Sequence, residues 1–277
     1  MKQGKRSLIF GLILLALGAP QIFAQGDSAE HTRKGVELGK NKKYAEAAEE
    51  FGLAIKADPQ DTKHYLNRGK ALKAAGKLSE ADKDFSKVIE MKPGAPYGFA
   101  ERGKVKVAQK NFDGAIEDLD KAIDLNEDDI DSYRYRGFAH VSKNEFEKAI
   151  EDYSKVLADK ASDGQALERR GFAYRSLKQY DKAIEDFTKL ITASPKDAEA
   201  YRRRGYAYSL SGENAKALED YRKVLELKPG DADATTRIKS VEARKPAADA
   251  GASSAAGAVS PAPGGAPAHS APAPSPR

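Results

Sequence analysis

The sequence predicts an all-α protein in which one helix–turn–helix unit is repeated six times. A glycine and an alanine each recur every 34 residues, with no insertion between copies. The glycines are Gly35, Gly69, Gly103, Gly137, Gly171 and Gly205, and the alanines are Ala47, Ala81, Ala115, Ala149, Ala183 and Ala217. Apolar residues between these fixed points have helical spacing, and a proline follows the second helix in four copies. A constant period of this length is typical of a helical repeat array.

Two amphipathic segments make up each copy. In the copy at 164–197, Leu167, Gly171 and Tyr174 lie on one face of a first helix. After a polar break, Ala183 and Phe187 lie on one face of a second helix. Glycine inside a helix costs roughly 0.5–1 kcal/mol relative to alanine. We therefore expect the recurring glycine to be needed for close packing between the two helices.

The repeats account for most of the chain and leave a segment at each end. When each copy is counted from the residue seven before its glycine, the boundaries are 28–61, 62–95, 96–129, 130–163, 164–197 and 198–231. In the stretch 232–245, Ala234, Ile238 and Val241 fall on one helical face, which predicts the capping helix that such arrays need. The stretch 246–277 is rich in Pro, Ala and Ser and nearly free of large apolar residues, which predicts a disordered tail, most simply a spacer.

Residues 1–24 have the layout of a secretory signal peptide. Basic residues precede an apolar run at 8–17, and small residues mark a cleavage site between Ala24 and Gln25. The alternative is an uncleaved anchor helix, but the run is shorter than the roughly 20 residues that span a bilayer. The sequence therefore predicts an exported protein, periplasmic or secreted. Because it has no cysteine, its stability must come from packing without disulfides.

The repeat resembles the tetratricopeptide repeat family. The shared pattern is a small residue, an aromatic or aliphatic residue such as Tyr180, then an alanine, an aromatic residue and a proline, here Pro59, Pro93, Pro195 and Pro229. The resemblance implies a right-handed α-solenoid of six helix–turn–helix units plus the C-terminal capping helix. It also implies that first helices line a concave face and second helices a convex one, and that the protein binds rather than catalyses.

Charge is segregated between the two halves of each repeat. The first fifteen positions of the six copies sum to +16 and the remaining nineteen to −15. Part of this segregation predicts a ladder of partly buried ion pairs between the helices of each repeat, because an arginine precedes the glycine and an aspartate follows sixteen residues later. The pairs are Arg68/Asp84, Arg102/Asp118, Arg136/Asp152, Arg170/Asp186 and Arg204/Asp220, with Lys34/Glu50 in the first copy.

The family pattern also implies which side chains face the groove. They include the cations Lys63, Lys70, Lys73, Lys104, Arg134, Arg175 and Arg202 and the aromatic residues Phe138, Phe172 and Tyr206. We interpret this face as a basic groove for extended peptides that carry acidic and apolar side chains. The alternative is a solvated cationic face with incidental aromatic residues.

One known use of the family does not transfer to this sequence. A two-carboxylate clamp for chaperone C-termini needs lysine, asparagine and arginine at set positions of three successive copies. The first three copies place Thr32, Val36, Asn67, Tyr97 and Glu101 there, and only Asn67 fits. No such clamp is predicted.

The remaining sequence gives no sign of catalysis. The four histidines are far apart in the chain, and no nucleophile, phosphate-loop or metal motif is present. We expect no catalytic residue, no metal and no cofactor. The overall charge of +5 includes +3 from the N-terminal segment, so it is no argument for nucleic acid. We expect protein partners, no nucleic acid, and membrane contact only through an uncleaved N-terminal segment; self-association is left open.

Two classes of function follow from these expectations. The first is a non-enzymatic scaffold or adaptor of the cell envelope, which holds proteins through extended peptides. The alternative is a structural envelope component or a binder of anionic polysaccharide. The groove aromatics favour the first, because a purely charged polymer needs fewer apolar contacts.

Overall fold

The structure, a computed structural model, describes residues 19–244 and is all-α there, which confirms the predicted fold class. The described helices are α1 (Ala19–Lys40), α2 (Tyr44–Ala57), α3 (Thr62–Ala74), α4 (Leu78–Met91), α5 (Pro96–Ala108), α6 (Phe112–Leu125), α7 (Ile130–Ser142), α8 (Phe146–Asp159), α9 (Gly164–Ser176), α10 (Tyr180–Ala193), α11 (Ala198–Ser211), α12 (Asn214–Leu227) and α13 (Ala232–Ala243). The tail predicted at 246–277 and most of the predicted signal peptide lie outside the described residues. The predicted cleavage site between Ala24 and Gln25 falls within α1, and its use stays a prediction.

The chain divides into two compact units, and the division falls inside the third copy of the repeat. The first unit ends at Lys110 and contains α1–α5; the second begins at Asn111 and contains α6–α13. In each unit, successive helices pack against each other. At the end of the second unit, α13 buries Ala234 and Val241, and Ile238 packs beside Val241 against α12.

Aspartates define where most first helices begin. The last residue of a copy precedes the first helix of the next copy, and its carboxylate accepts a hydrogen bond from a backbone N–H of that helix's first turn. These N-cap residues are Asp61, Asp129, Asp163, Asp197 and Asp231. Such caps satisfy N–H groups that have no partner inside the helix. The caps recur with the period of the repeat, so they fix the same starting point in the second, fourth, fifth and sixth copies and in α13, whereas α5 begins with Pro96 after Ala95.

The recurring glycine makes room for an aromatic ring. In α9, a β-carbon at Gly171 would lie 2.7 Å from Cε1 of Phe187, whose side chain is fully buried. Gly35 and Gly69 stand in the same relation to Phe51 and Phe85, sixteen residues later. The expectation of close packing is thus met by a ring lying against the glycine backbone, and the helical cost of glycine is offset by burial of that ring.

Arginine–aspartate pairs join the two helices of a repeat. In the first unit, Nε and Nη2 of Arg68 donate to the two carboxylate oxygens of Asp84 at 2.8 and 2.7 Å. Within the second unit, Arg170 holds Asp186 in the same way at 2.9 and 2.7 Å. Arg136/Asp152 and Arg204/Asp220 repeat this arrangement. These aspartates are buried, so two parallel charge-assisted hydrogen bonds compensate for their loss of water.

The first copy departs from the ladder. Lys34 is paired with Glu30 one turn earlier in α1, at 2.9 Å, rather than with the predicted Glu50. Glu50 accepts instead from Nδ1 of His31 at 2.6 Å. Lysine has a single terminal ammonium and no planar fork, so it does not reproduce the two parallel bonds of the arginine pairs.

Four of the five ladder arginines also reach the second helix of the preceding copy; the exception is Arg68, because Gly52 stands sixteen residues before it. Nη1 of Arg170 donates to the hydroxyl of Ser154 at 3.0 Å, and Nη1 of Arg204 donates to the hydroxyl of Thr188 at 3.2 Å. Ser86 and Asp120 accept in the same way from Arg102 and Arg136. The acceptor is always sixteen residues before the arginine. Arg136, Arg170 and Arg204 thus each connect three helices, two of their own copy and one of the copy before.

The fourth copy has a tyrosine where three other copies have a buried phenylalanine. Tyr153 occupies the position of Phe51, Phe85 and Phe187, and its hydroxyl has no hydrogen-bond partner among the described residues. Burial raises the pKa of this phenol.

Replacing Tyr153 by phenylalanine should therefore raise the free energy of unfolding by about 1 kcal/mol, because a buried unsatisfied polar group is removed. Urea denaturation followed by circular dichroism measures the change. The control is Tyr221→Phe, because the Tyr221 hydroxyl interacts with the guanidinium of Arg237 and its loss should not stabilise. Equal gains from both substitutions would contradict the explanation.

Candidate functional site

The residues predicted to line the groove fall in both units. Lys63, Lys70, Lys73 and Lys104 belong to the first, and Arg134, Phe138, Phe172, Arg175, Arg202 and Tyr206 belong to the second. All lie on first helices of their repeats.

In the first unit, two of the four lysines are exposed and two are held by a carboxylate. Lys63 and Lys70 project from α3 into solvent. Nζ of Lys73 donates to Oε2 of Glu101 at 2.6 Å, and Nζ of Lys104 lies 3.5 Å from the other oxygen of the same residue. Burial alone would raise the pKa of Glu101, but the charges of Lys104 and Lys73 hold it below its ordinary value. The Glu101 carboxylate is thus ionised. It neutralises part of the positive charge of Lys73 and Lys104, which the sequence predicted to be available for an acidic ligand.

An apolar cleft lies beside Lys70. It has a volume of about 210 Å³ and is formed by residues of α1, α2 and α3. Val36 and Phe51 contribute apolar surface, and Asn67 and Lys70 contribute polar groups. The cleft can hold one small apolar side chain with a polar or acidic neighbour.

In the second unit, two predicted groove cations serve the framework. The sequence places Arg134 in the groove, but the structure buries it with Nη1 at 3.0 Å from Oδ1 of Asp163, the N-cap of α9. Arg202 likewise donates through Nη2 to Asp231, the N-cap of α13, at 2.6 Å. Each arginine is 29 residues before its cap. Both arginines therefore stabilise the start of the capped helix. The groove pattern does not reveal this role, because the cap that each arginine binds lies 29 residues later in the sequence.

Phe138, Phe172 and Tyr206 occupy equivalent positions on α7, α9 and α11, and we call them the aromatic row. All three are half-buried. Phe138 packs edge-to-face on Phe112 with ring centroids 6.3 Å apart, and Phe172 packs in the same way on Phe146 at 5.9 Å. Edge-to-face contact is a favourable geometry for aromatic pairs. The rings are therefore held in place while part of their surface stays accessible.

Arginines connect the members of the aromatic row. The guanidinium carbon of Arg169 in α9 lies 4.5 Å from the centroid of Phe138. That of Arg175 lies 5.1 Å from the centroid of Phe172 and 4.8 Å from that of Tyr206. Arg237 of α13 lies 4.7 Å from Tyr206. These are cation–π distances, so α7, α9, α11 and α13 share one surface of alternating rings and cations.

Arg175 differs from the other half-buried arginines of this surface. Arg203 binds Glu168 and Glu199, and Arg237 binds Asp233. For Arg175, by contrast, the part of the chain that the structure describes provides no ion pair and no side-chain hydrogen bond. Burial, together with the charges of Arg203 and Arg237, lowers the pKa of its guanidinium below the ordinary value. Within the described residues, its positive charge is thus compensated by the two rings alone.

A larger cavity adjoins this surface. It has a volume of about 590 Å³, and its lining includes Lys178, Tyr180, Leu210 and Ser211. Leu210 is 38% exposed and follows Tyr206 by one helical turn of α11, so the two side chains lie on the same face. Lys178 lies just after the end of α9, three residues beyond Arg175. Apart from Tyr180 and Leu210 the lining is polar or charged, so the cavity adds one exposed aliphatic side chain, Leu210, to the surface beyond Tyr206.

Two other kinds of feature, a metal site and a membrane span, are absent from the described residues. Between 19 and 244 there is no cluster of three or more His, Asp or Glu side chains that could hold a metal ion. No described helix is both long and apolar enough to cross a membrane.

Known repeat-family models match four segments of the chain. Models described as tetratricopeptide repeats match residues 32–96 and 198–231, and a model described as a TPR repeat matches 103–143 and 171–212. The match at 198–231 coincides with the sixth copy defined from the sequence. Together the matches cover more than half of the chain.

Solved structures with the same fold extend over most of the described residues. YrrB, a TPR protein whose structure is reported with an unusual peptide-binding site, is 22% identical, and the match covers 69% of this chain and 99% of YrrB with a TM-score of 0.64. MamA is 27% identical, with 60% and 91% covered and a TM-score of 0.58. A tetratricopeptide repeat protein from Parabacteroides merdae is 20% identical, with 79% and 88% covered and a TM-score of 0.63.

Curated proteins gave no match. The family assignment rests instead on the repeat period, on the helix pairs that carry it and on the three matching repeat models. The chain belongs to the tetratricopeptide repeat family.

Proposed function

We propose that this protein is a non-enzymatic scaffold of the cell envelope that binds extended peptide segments of other proteins through the first helices of its repeats. The tetratricopeptide repeat fold is a protein-interaction scaffold, and YrrB, which has that fold, is reported with a peptide-binding site. The signal-peptide layout of residues 1–24 supports export. Beyond the interaction fold of the family, we propose a particular binding surface, the chemistry of its ligand and the compartment of the protein.

The aromatic row carries this proposal. Half-buried rings at the same position of three successive first helices are held by Phe112 and Phe146 on one side and by arginines on the other. Aromatic and arginine side chains are the residue types that contribute most to binding energy at protein interfaces. Since the rings recur with each repeat, they match apolar side chains spaced along an extended chain. The cations between them favour acidic residues in that chain.

The first unit supplies a second contact surface of the same character. Its apolar cleft, formed by α1–α3, has Lys70 at its edge, and Lys63 is exposed on the same helix. Lys73 and Lys104 add less because Glu101 already neutralises part of their charge. Variants that probe a ligand in this unit should therefore alter Lys63 and Lys70 and leave the Glu101 cluster intact.

Site-specific photo-crosslinking in the native host tests the proposal. A photoreactive amino acid at Leu210, on the first-helix face, should trap envelope proteins, and the adducts should map to extended acidic and apolar segments by mass spectrometry. The same probe at Leu53, which is 40% exposed on the second helix α2, is the control and should not trap them. Phe172→Ala should reduce the adducts at Leu210 by about tenfold, since an interface hot spot contributes 1.4 kcal/mol or more.

The alternative, binding of anionic polysaccharide, predicts a different pattern. Adducts would then be absent, and retention on an anionic polysaccharide would fall steeply with salt while being unchanged by Phe138→Ala or Phe172→Ala. That result would overturn the peptide-binding proposal. Circular dichroism of each variant establishes that it folds.

A further inference from the structure

We infer that Arg175 is a receptor for a single acidic side chain within the extended peptide, so that the peptide places Asp or Glu between Phe172 and Tyr206. The inference rests on the proposed peptide-binding function and specifies the chemistry of its ligand. It assigns Arg175 a role different from that of the neighbouring arginines.

The state of the Arg175 guanidinium is the first observation. It is half-buried and lies over two rings, with centroids at 5.1 and 4.8 Å, yet no described residue forms an ion pair or a side-chain hydrogen bond with it. Cation–π contacts use the charge of the guanidinium but none of its five N–H donors. Donors that are partly removed from water and have no protein acceptor favour an acceptor brought by a ligand. A carboxylate fits the planar group best, because it can accept two parallel hydrogen bonds.

The charges around Arg175 also favour a bound anion. Arg203 and Arg237 act on Arg175 electrostatically and hold its pKa below the ordinary value, after burial as the largest cause. Both are paired with carboxylates of the chain, Arg203 with Glu168 at 2.9 Å and Arg237 with Asp233 at 2.8 Å. The carboxylates are therefore committed to other arginines, and an anion at Arg175 would relieve the remaining positive potential.

The surroundings indicate an internal residue of the peptide rather than its end. The ring–cation surface continues in both directions from Arg175, to Phe138 and Arg169 on one side and to Arg237 on the other. One helical turn beyond Tyr206, the exposed side chain of Leu210 offers an apolar contact to the same peptide, at the edge of a cavity of about 590 Å³ whose lining is otherwise largely polar. A ligand thus has surface to contact before and after its acidic residue.

The same features explain why Arg175 is not part of the framework. Arg134 and Arg202 hold helix N-caps, and Arg136, Arg170 and Arg204 hold buried aspartates. Loss of Arg175 breaks no such contact. Hence Arg175→Gln should fold with a nearly unchanged melting temperature, because relief of a poorly solvated cation offsets the loss of its two cation–π contacts.

Acetate is a probe that tests the anion site without any peptide. Nitrogen-edited NMR of the full chain follows the Nε–H resonances of arginine, with Arg175 assigned from its absence in Arg175→Gln. Sodium acetate should shift the Arg175 resonance saturably, whereas sodium chloride at equal ionic strength should not. The control is Arg222, an exposed arginine of α12, which should not move with either salt beyond a small linear drift. An Arg175 resonance that responds to both salts alike, or to neither, would overturn the inference.

Matched peptides then test the acidic residue itself. The probe is a nine-residue peptide, acetylated and amidated, with a central Glu flanked by leucines, compared with the same peptide carrying Gln. Wild type should bind the Glu peptide about ten- to hundredfold more tightly, as expected for hydrogen bonds between charged groups. Arg175→Gln should lose this preference but keep the leucine-dependent binding, Arg175→Lys should keep part of it, and Arg222→Gln should keep all of it.

The outcomes separate the inference from the function on which it rests. A saturable acetate shift without binding of either peptide would leave the anion site in place and contradict the peptide-binding function. Binding of both peptides with equal affinity would leave that function in place and overturn the acidic subsite. A preference only for a Gln peptide with a free C-terminus would also overturn it, in favour of a chain end. Self-association that is lost in Arg175→Gln, seen by sedimentation, would identify a second copy as the occupant and overturn the inference too.

Discussion

Replacing Asp152 by asparagine is expected to lower the free energy of unfolding by about 3–5 kcal/mol. Only 3% of the Asp152 side chain is exposed, and it accepts hydrogen bonds from Nε and Nη2 of Arg136 at distances down to 2.6 Å. Asparagine keeps the volume but removes the negative charge and one acceptor. The guanidinium of Arg136, which is itself largely buried, then loses its compensating charge within the repeat. Urea denaturation followed by circular dichroism measures the change.

Asp120 is a control that contacts the same guanidinium. It accepts from Nη1 of Arg136 at 2.6 Å, the same length as the shortest bond to Asp152, but its side chain is 51% exposed. Exposed ion pairs contribute only about 0–1 kcal/mol, because water solvates both partners when the pair is broken. Asp120→Asn should therefore cost at most about 1 kcal/mol. If the two variants had the same stability, burial could not be the reason for the ladder.

The ladder also illustrates how much the sequence could predict. Arginine and aspartate at a spacing of sixteen predicted the bond between the helices of one repeat, which the structure shows for Arg68, Arg136, Arg170 and Arg204. The second bond, to the preceding repeat, was missed because its acceptors differ in chemical type. Three are hydroxyls, of Ser86, Ser154 and Thr188, and the fourth is the carboxylate of Asp120. Their spacing of 34 residues was the available signal.

The binding surface was less predictable than the fold. The repeat period identifies which positions face the groove. Whether a charged side chain at such a position is available to a ligand depends on whether another residue of the chain already forms an ion pair with it. Glu101 neutralises part of the charge of Lys73 and Lys104, and the N-cap aspartates Asp163 and Asp231 are bound by Arg134 and Arg202. These partners come from positions outside the groove, up to 29 residues away, and they recur in only some of the copies. The side chains that remain available, above all the aromatic row and Arg175, could be separated from the others only once these contacts were known.

Replacing Gly171 by alanine is expected to lower the free energy of unfolding by about 1–3 kcal/mol, although alanine is the better helix former. Intrinsic propensity alone would favour alanine by about 1 kcal/mol. A β-carbon at this position would, however, lie 2.7 Å from Cε1 and 3.0 Å from Cζ of Phe187, far inside van der Waals contact. Phe187 is fully buried, so its ring cannot move aside without disturbing its other neighbours. Overpacking of a core at this level usually costs about 1–3 kcal/mol.

A substitution at Gly52 is the control that separates the effect of packing from the effect of helix propensity. It lies inside α2, and a β-carbon there would meet only the side chain of Arg68, at an ordinary contact distance of 3.7 Å. Gly52→Ala should therefore raise the free energy of unfolding by about 0.5–1 kcal/mol, as propensity predicts. Opposite signs for the two substitutions, measured by urea denaturation, would establish that the glycine of the repeat is required by the ring sixteen residues later. A stabilising Gly171→Ala would mean that Phe187 can be displaced cheaply, and the glycine would then need another explanation.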